Sequence, residues 1–356
     1  MHHHRYYWID LAKVFSILGV IFIHSSSNEF LGLLSHYFRF SVPIFIATSF
    51  FLLERSQIDK GILISASNLW KKRLPRLLIP FFVWSFIYAV IFLQPQYPSF
   101  SKFITLHWIG FGWSGQYYLL VMVQLILLYP WLRRTKLTAR WLLIAGILNI
   151  LILYIPLNYF PINQLSFLIK LRTLPFFYWV FYVLLAIYVA RNYESIKAGL
   201  IDSDRLIRTN KMLPMNLLRI NPGLSILVAP LLIVLEEISL KTLNVNSHDY
   251  FCISVLIVSC ILFFAFIHLE IVLERTFLKQ WKLCGRHISW LSSWTLGVFC
   301  LNPLIISGLK ATQILNFNPP SNVAIFIGIF NTLVIYTIAL LLSYLISLTG
   351  AKSLVR

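Results

Sequence analysis

Acidic side chains are scarce in this chain: 356 residues hold 12 aspartates and glutamates against 30 lysines and arginines, a formal net charge of +18. In a soluble protein that excess would point toward nucleic acid. Here the cations fall between apolar stretches, where they set topology instead, so no nucleic-acid partner is expected. Cysteine is as sparse. Cys252, Cys260, Cys284 and Cys300 show no CxxC spacing and sit in or near apolar runs, so no zinc or redox site is expected and they read as small apolar residues. Walker-type glycine loops, dinucleotide fingerprints, HExxH pairs and GxSxG elbows are all missing, which argues against an ATPase pump, a metalloprotease and a serine hydrolase. No cleavable signal is evident in the opening MHHHRYY, and its three histidines read as a solvated terminus.

What the chain has in abundance is hydrocarbon. At 59% hydrophobic and 12% charged, with a mean hydropathy of +0.78, it exceeds what a soluble domain needs and predicts an all-α polytopic membrane helix bundle. A β-barrel would show short alternating segments. Ten apolar stretches are expected to span, over residues 8–28, 36–54, 77–95, 115–132, 140–157, 173–190, 223–241, 250–270, 293–309 and 322–346. With both termini and alternate loops in the cytoplasm, most of the 30 lysines and arginines lie inside, the arrangement that the positive-inside rule favours. Residues 1–350 form one transmembrane domain, interrupted by a polar cytoplasmic linker at 191–222 with room for a short amphipathic helix, and 351–356 form a tail. No internal repeat or inverted pair of broken helices is visible, which counts against a carrier.

The first stretch, WIDLAKVFSILGVIFIHSS, holds Asp10, Lys13 and His24. Ionisable groups inside a span are functional candidates because each is costly there. At 100° per residue His24 lies about 20° from Lys13 and Asp10 about 40° off on the other side, so the three share one stripe, which climbs roughly 16 Å from Lys13 to His24. His24 is the candidate general base, since neutral imidazole can take a proton from a hydroxyl near neutral pH. Asp10 and Lys13, three residues apart, suit either an ion pair near the cytoplasmic interface or direct catalysis.

Arg39 opens the second stretch near the same outer face as His24, placed either to meet it or to snorkel. Gln116 and Tyr117 open the fourth stretch on that side; aromatic-belt duty explains the tyrosine better than the glutamine. Lys71, Lys72, Arg73 and Arg76 in NLWKKRLPRLLIPFF precede an expected helix start on the cytoplasmic side and suit a phosphate-bearing ligand. Of Glu236 and Glu237 at least one must face away from any single pore, and His268 and Glu270 read as interfacial.

Together these blocks resemble the acyltransferase-3 family of membrane acyltransferases, which includes bacterial O-acetyltransferases of surface polysaccharides. The resemblance is carried by YYWIDLAKVFSILGVIFIH, RFSVPIF, KKRLPRLLIPF, GQYYLLVMVQLILLYP and SSWTLGVFCLNPLI. It implies a ten-helix core, His24 as the essential base, and an acyl-coenzyme A donor, acetyl-coenzyme A above all, docked at Lys72, Arg73 and Arg76. It also implies a sugar or polysaccharide acceptor, a cytoplasmic-membrane location and no permanently bound cofactor or metal. In this reading Arg39, Gln116, Tyr117 and Asn302 handle the acceptor or the developing oxyanion, and the hydroxyl freed by His24 attacks the thioester. Two departures stand out. Lys13 replaces a common arginine and loses its bidentate fork. Phe299 and Asn302 stand where Tyr-x-x-His is usual, and asparagine can hydrogen-bond but cannot carry a proton. The rival reading is a polysaccharide exporter or other transporter on the same scaffold.

Overall fold

The computed structural model describes residues 5–26, 29–61, 63–91, 105, 107–108, 110, 112–155, 174–208, 221–243, 250, 252–312 and 321–356. They form helices joined by turns, without a strand among the described residues. In chain order the α-helices are α1 (Tyr7–Ser25), α2 (Glu29–Ser35), α3 (Ser41–Lys60), α4 (Ala66–Ile91), α5 (Tyr117–Leu132), α6 (Ala139–Asn149) and α7 (Val180–Arg191). Then come α8 (Tyr193–Arg208), α9 (Pro222–Val228), α10 (Leu231–Thr242), α11 (Ile253–Thr276), α12 (Leu278–Ser292), α13 (Thr295–Ala311) and α14 (Ser321–Leu348).

Each expected apolar stretch contains a helix. Among the described residues six helical spans are long and apolar enough to cross a membrane, the bent pair α12 and α13 can make a seventh, and α5, α6 and α7 belong to shorter apolar helices. The boundaries differ in instructive ways. The helix of the third apolar stretch, α4, starts at Ala66, so Lys71, Lys72, Arg73 and Arg76 lie within it rather than before it, and Pro75 and Pro80 are accommodated inside. The second stretch is preceded by α2 and a 3₁₀ turn over His36–Phe38. The linker after α7 carries α8, whose Lys197 reaches Glu274 of α11 at 3.4 Å; residues 209–220 of that linker and the histidines at 2–4 lie outside the described residues.

The helix α1 is the hub, packing against α3, α11, α12, α13 and α14. Its buried residues include Trp8, Ile9, Ala12, Ile17 and Ile21, each at most 1% exposed. Tyr6 supplies no side-chain cap to α1, so its first amides need an acceptor from elsewhere. Glu270 of α11 provides it, accepting from the N–H groups of Tyr7 at 2.9 Å and Trp8 at 3.3 Å. A carboxylate is also favoured there by the helix dipole. The same device recurs at α11 itself, where Glu236 of α10 accepts from Ile253 and Ser254 N–H at 3.1 and 2.7 Å. Two acids that read as interfacial or pore-facing therefore lock three helices to one another.

Residues 351–356, set apart by sequence as a tail, fold back onto the bundle. Val355 is fully buried; its carbonyl accepts from Gly297 N–H at 3.1 Å, Trp84 Nε1 donates to the Leu354 carbonyl at 3.2 Å, and Arg356 lies over Trp294. A Cβ at Gly297 would stand 2.3 Å from Ser343 Oγ and 2.8 Å from Val355 Cβ. Gly297→Val is therefore expected to cost about 1–3 kcal/mol by overpacking. A lowered thermal midpoint of the detergent-purified protein is the readout; an unchanged midpoint would contradict this packing.

Candidate active site

The two ends of α1 carry different chemistry. At its N-terminal end Asp10 accepts from Ser289 and Ser292 of α12, both at 2.5 Å, and from Arg5 Nε at 3.0 Å. Arg5 also donates to the Ser289 carbonyl at 3.3 Å. Asp10 thus pairs with Arg5 rather than with Lys13, and its role is to fasten α1 to α12. Lys13 is left inside the bundle within electrostatic range of Asp10, Arg73 and Arg5, and Arg73 within range of Arg76 and Tyr129. Lys13, Arg73 and Arg76 form no salt bridge among the described residues. Lys13 and Arg73 are half-buried and Arg76 is exposed; partly buried cations outside any salt bridge are costly unless an anion joins them. Lys72, on the same helix turn, is exposed.

At the other end His24 meets Ser114, whose Oγ lies 2.9 Å from Nδ1 and 3.3 Å from Nε2. Ser114 sits in the turn before α5. That turn is held by Gln116, which is fully buried: its side-chain carbonyl accepts from Gly112 N–H at 2.7 Å, and its amide donates to Ser85 Oγ at 2.6 Å and to the His107 carbonyl at 2.9 Å. Gly115 adopts φ +88°, a conformation that favours glycine. Gln116 accordingly positions the serine, and both its amide contacts are committed to the scaffold. Burial depresses the imidazole pKa of His107, which lies in the same loop. The neutral ring is favoured there.

The third wall comes from α13. Pro303 has no N–H to give the Phe299 carbonyl, and Asn302 Nδ2 donates to that carbonyl at 2.7 Å instead. The Tyr88 hydroxyl inserts one residue on, donating to the Cys300 carbonyl at 2.7 Å and accepting from Leu304 N–H at 3.0 Å. Asn302 Oδ1 is buried without a partner among the described residues. Phe299 closes against Trp113 and Tyr118, with ring centroids 5.8 and 5.4 Å away. Phe299 thus stands beside the turn that presents Ser114, while the amide of Asn302 is occupied by its own helix.

Arg39 stacks over Tyr250 at 5.1 Å, and Tyr117 lies beside the same ring at 6.4 Å. Arg39 also borders a cavity of about 820 Å³ shared with Glu29, Phe30, His36, Lys241 and Thr242. Behind it the buried Glu237 pairs with His36 at 3.5 Å and Lys241 at 3.4 Å. Glu236 and Glu237 therefore both have structural partners, in keeping with their facing different directions.

Sequence reasoning passed over Ser114 and the centre built on Glu54. Ser114 lies in a polar turn that gives no periodic signal. Glu54, 1% exposed, interrupts the apolar run SFFLLERSQ, which was its only mark. It accepts from Arg191 Nε at 2.9 Å, pairs with Arg133 Nε at 3.2 Å and accepts from the Tyr129 hydroxyl. Since Tyr129 also lies within electrostatic range of Arg73, this centre adjoins the cationic cluster.

The bundle thus places Lys13 and Arg73, outside any salt bridge among the described residues, toward one end of its central helix and a serine–histidine pair at the other. The model of the acyltransferase domain matches residues 6–351, and the chain belongs to the acyltransferase-3 family of membrane acyltransferases. No curated protein and no solved structure gives a significant match.

Proposed function

We propose that this acyltransferase moves an acetyl group from cytoplasmic acetyl-coenzyme A to a hydroxyl of a sugar or cell-surface polysaccharide at the outer side of the cytoplasmic membrane. Both termini face the cytoplasm in this reading, as the charge pattern favours. The observation that carries it is the polarity of α1: Lys13 and Arg73 lie within electrostatic range of each other and outside any salt bridge among the described residues, while His24 stands eleven residues on, about 16 Å up the helix. Phosphates of the coenzyme pair with Arg73, Arg76 and Lys72, and its long arm runs along α1. His24 takes the proton from the hydroxyl that attacks the acyl carbonyl. Arg39, whose guanidinium borders the 820 Å³ cavity, orients the acceptor; a mixture of acidic, basic and hydroxyl side chains suits a polyol.

Arg73→Ala with Arg76→Ala tests the donor end. Each charge-assisted contact is worth about 1.5–3 kcal/mol, so the KM for acetyl-coenzyme A is expected to rise at least tenfold with kcat reduced far less. An unchanged KM would remove these arginines from donor binding.

A further inference from the structure

Several buried serines in these helices spend their hydroxyl on a carbonyl of their own helix: Ser85 on Phe81, Ser259 on Val255, Ser343 on Ala339. That is the ordinary way to satisfy a hydroxyl in an apolar helix. Ser114 does otherwise. It lies outside any helix, it is exposed, and its hydroxyl bonds to the His24 ring alone. With Oγ 2.9 Å from Nδ1 and 3.3 Å from Nε2, the hydroxyl lies against the face of the imidazole, and a turn of the ring about its Cβ–Cγ bond brings an in-plane nitrogen lone pair onto it, the nucleophile–base arrangement of covalent catalysis. The turn around it is built to hold that pose, through Gln116 on one side and the left-handed Gly115 on the other. The Gly115 N–H, next after the serine, has no acceptor among the described residues, leaving a backbone donor available for a developing oxyanion.

The geometry points to Ser114 as the residue that first receives the acyl group, so that transfer proceeds through an acyl-serine intermediate. This rests on the acyl-coenzyme A reading above and adds a step to it. His24 takes the Ser114 proton as Oγ attacks the thioester carbonyl carbon; the C–S bond breaks, and the proton passes from His24 to the departing thiolate. The product is an oxygen ester on Ser114 and free thiol. The acceptor hydroxyl then gives its proton to His24 and attacks the ester carbonyl; the C–O bond to Ser114 breaks, and Oγ recovers the proton. The net change is thioester plus alcohol to ester plus thiol. One imidazole thereby serves both half-reactions.

The test uses the full chain purified in detergent and acetyl-coenzyme A labelled in the acetyl group, first without acceptor and then with a neutral oligosaccharide pool. After denaturation, peptide mapping of the wild type is expected to find the label on Ser114. Ser114→Ala should lose both the label and at least 100-fold in thiol release. Ser114→Cys should carry the label as a thioester that neutral hydroxylamine removes rapidly; this variant keeps the question open to refutation if the alanine variant fails to fold. Thiol release and oligosaccharide acylation by Ser114→Ala at half the wild-type rate or more, with His24→Ala inactive, would overturn the acyl-serine step while leaving the transferase intact. A folded Ser114→Cys protein that turns over without thioester label would overturn it equally. No thiol release by the wild type from acetyl-, propionyl- or palmitoyl-coenzyme A would instead sink the donor reading, and this step with it.

Discussion

Replacing His24 with alanine is expected to lower acyl transfer by a factor of about 10²–10⁴, the range for losing a positioned general acid–base group. The imidazole is held at the C-terminal end of α1 against Ser114 Oγ at 2.9 Å, and the ring is only half-buried. The thermal midpoint should therefore stay close to that of the wild type while turnover collapses. Donor binding should persist as well, because Lys13 and Arg73 lie at the opposite end of the helix. His24→Gln separates positioning from proton transfer. It can keep a hydrogen bond to Ser114 but cannot accept and return a proton at neutral pH, so it should be as inactive as the alanine. Substantial turnover in His24→Gln would show that the ring acts only as a hydrogen-bonding post.

The largest effect on stability is expected at Glu54. Its carboxylate is 1% exposed and gathers Arg133, Arg191 and Tyr129 from the ends of α5 and α7. Arg191 is pinned further by donating to the Thr135 carbonyl at 2.9 Å, and Gln57 donates to the Tyr129 hydroxyl at 3.0 Å. Glu54→Ala removes the one anion in this centre and strands two guanidinium groups that are largely out of water. Breaking a buried pair in this way costs about 3–5 kcal/mol, which should lower the thermal midpoint by roughly 10 °C. Glu54→Gln retains acceptors for the arginines and should fall between the two. A shift in Glu54→Ala of less than about 2 °C would show that the arginines find other partners readily, contrary to a desolvated centre.

Much of the bundle was legible because membrane insertion writes itself into local sequence: a hydrocarbon run long enough to span needs no tertiary information to be recognised. The stripe of Asp10, Lys13 and His24 was legible for the same reason, since three residues of one helix share a periodicity. Their partners were not. Asp10 is satisfied by Ser289 and Ser292, nearly the length of the chain away, and the nearer Lys13 lost that competition to Arg5. Glu270 looked interfacial because an acid near a helix end reads as solvated, whereas it caps the first turn of α1. Pro75 and Pro80 suggested a helix beginning after the basic residues. The helix instead runs through both, with Lys72 and Arg76 exposed along it. Ser114 was hidden in a turn, where neither periodicity nor hydropathy marks a side chain that only three-dimensional closure brings to His24.

Transfer from one face of the bilayer to the other is the central claim, and proteoliposomes of defined orientation test it most directly. Acetyl-coenzyme A labelled in the acetyl group is supplied outside to molecules whose Arg73 and Arg76 face outward, with a neutral oligosaccharide pool enclosed in the lumen. The account predicts labelled oligosaccharide inside, thiol released outside, and neither with His24→Ala. Labelled product formed only when donor and oligosaccharide share one compartment would contradict it.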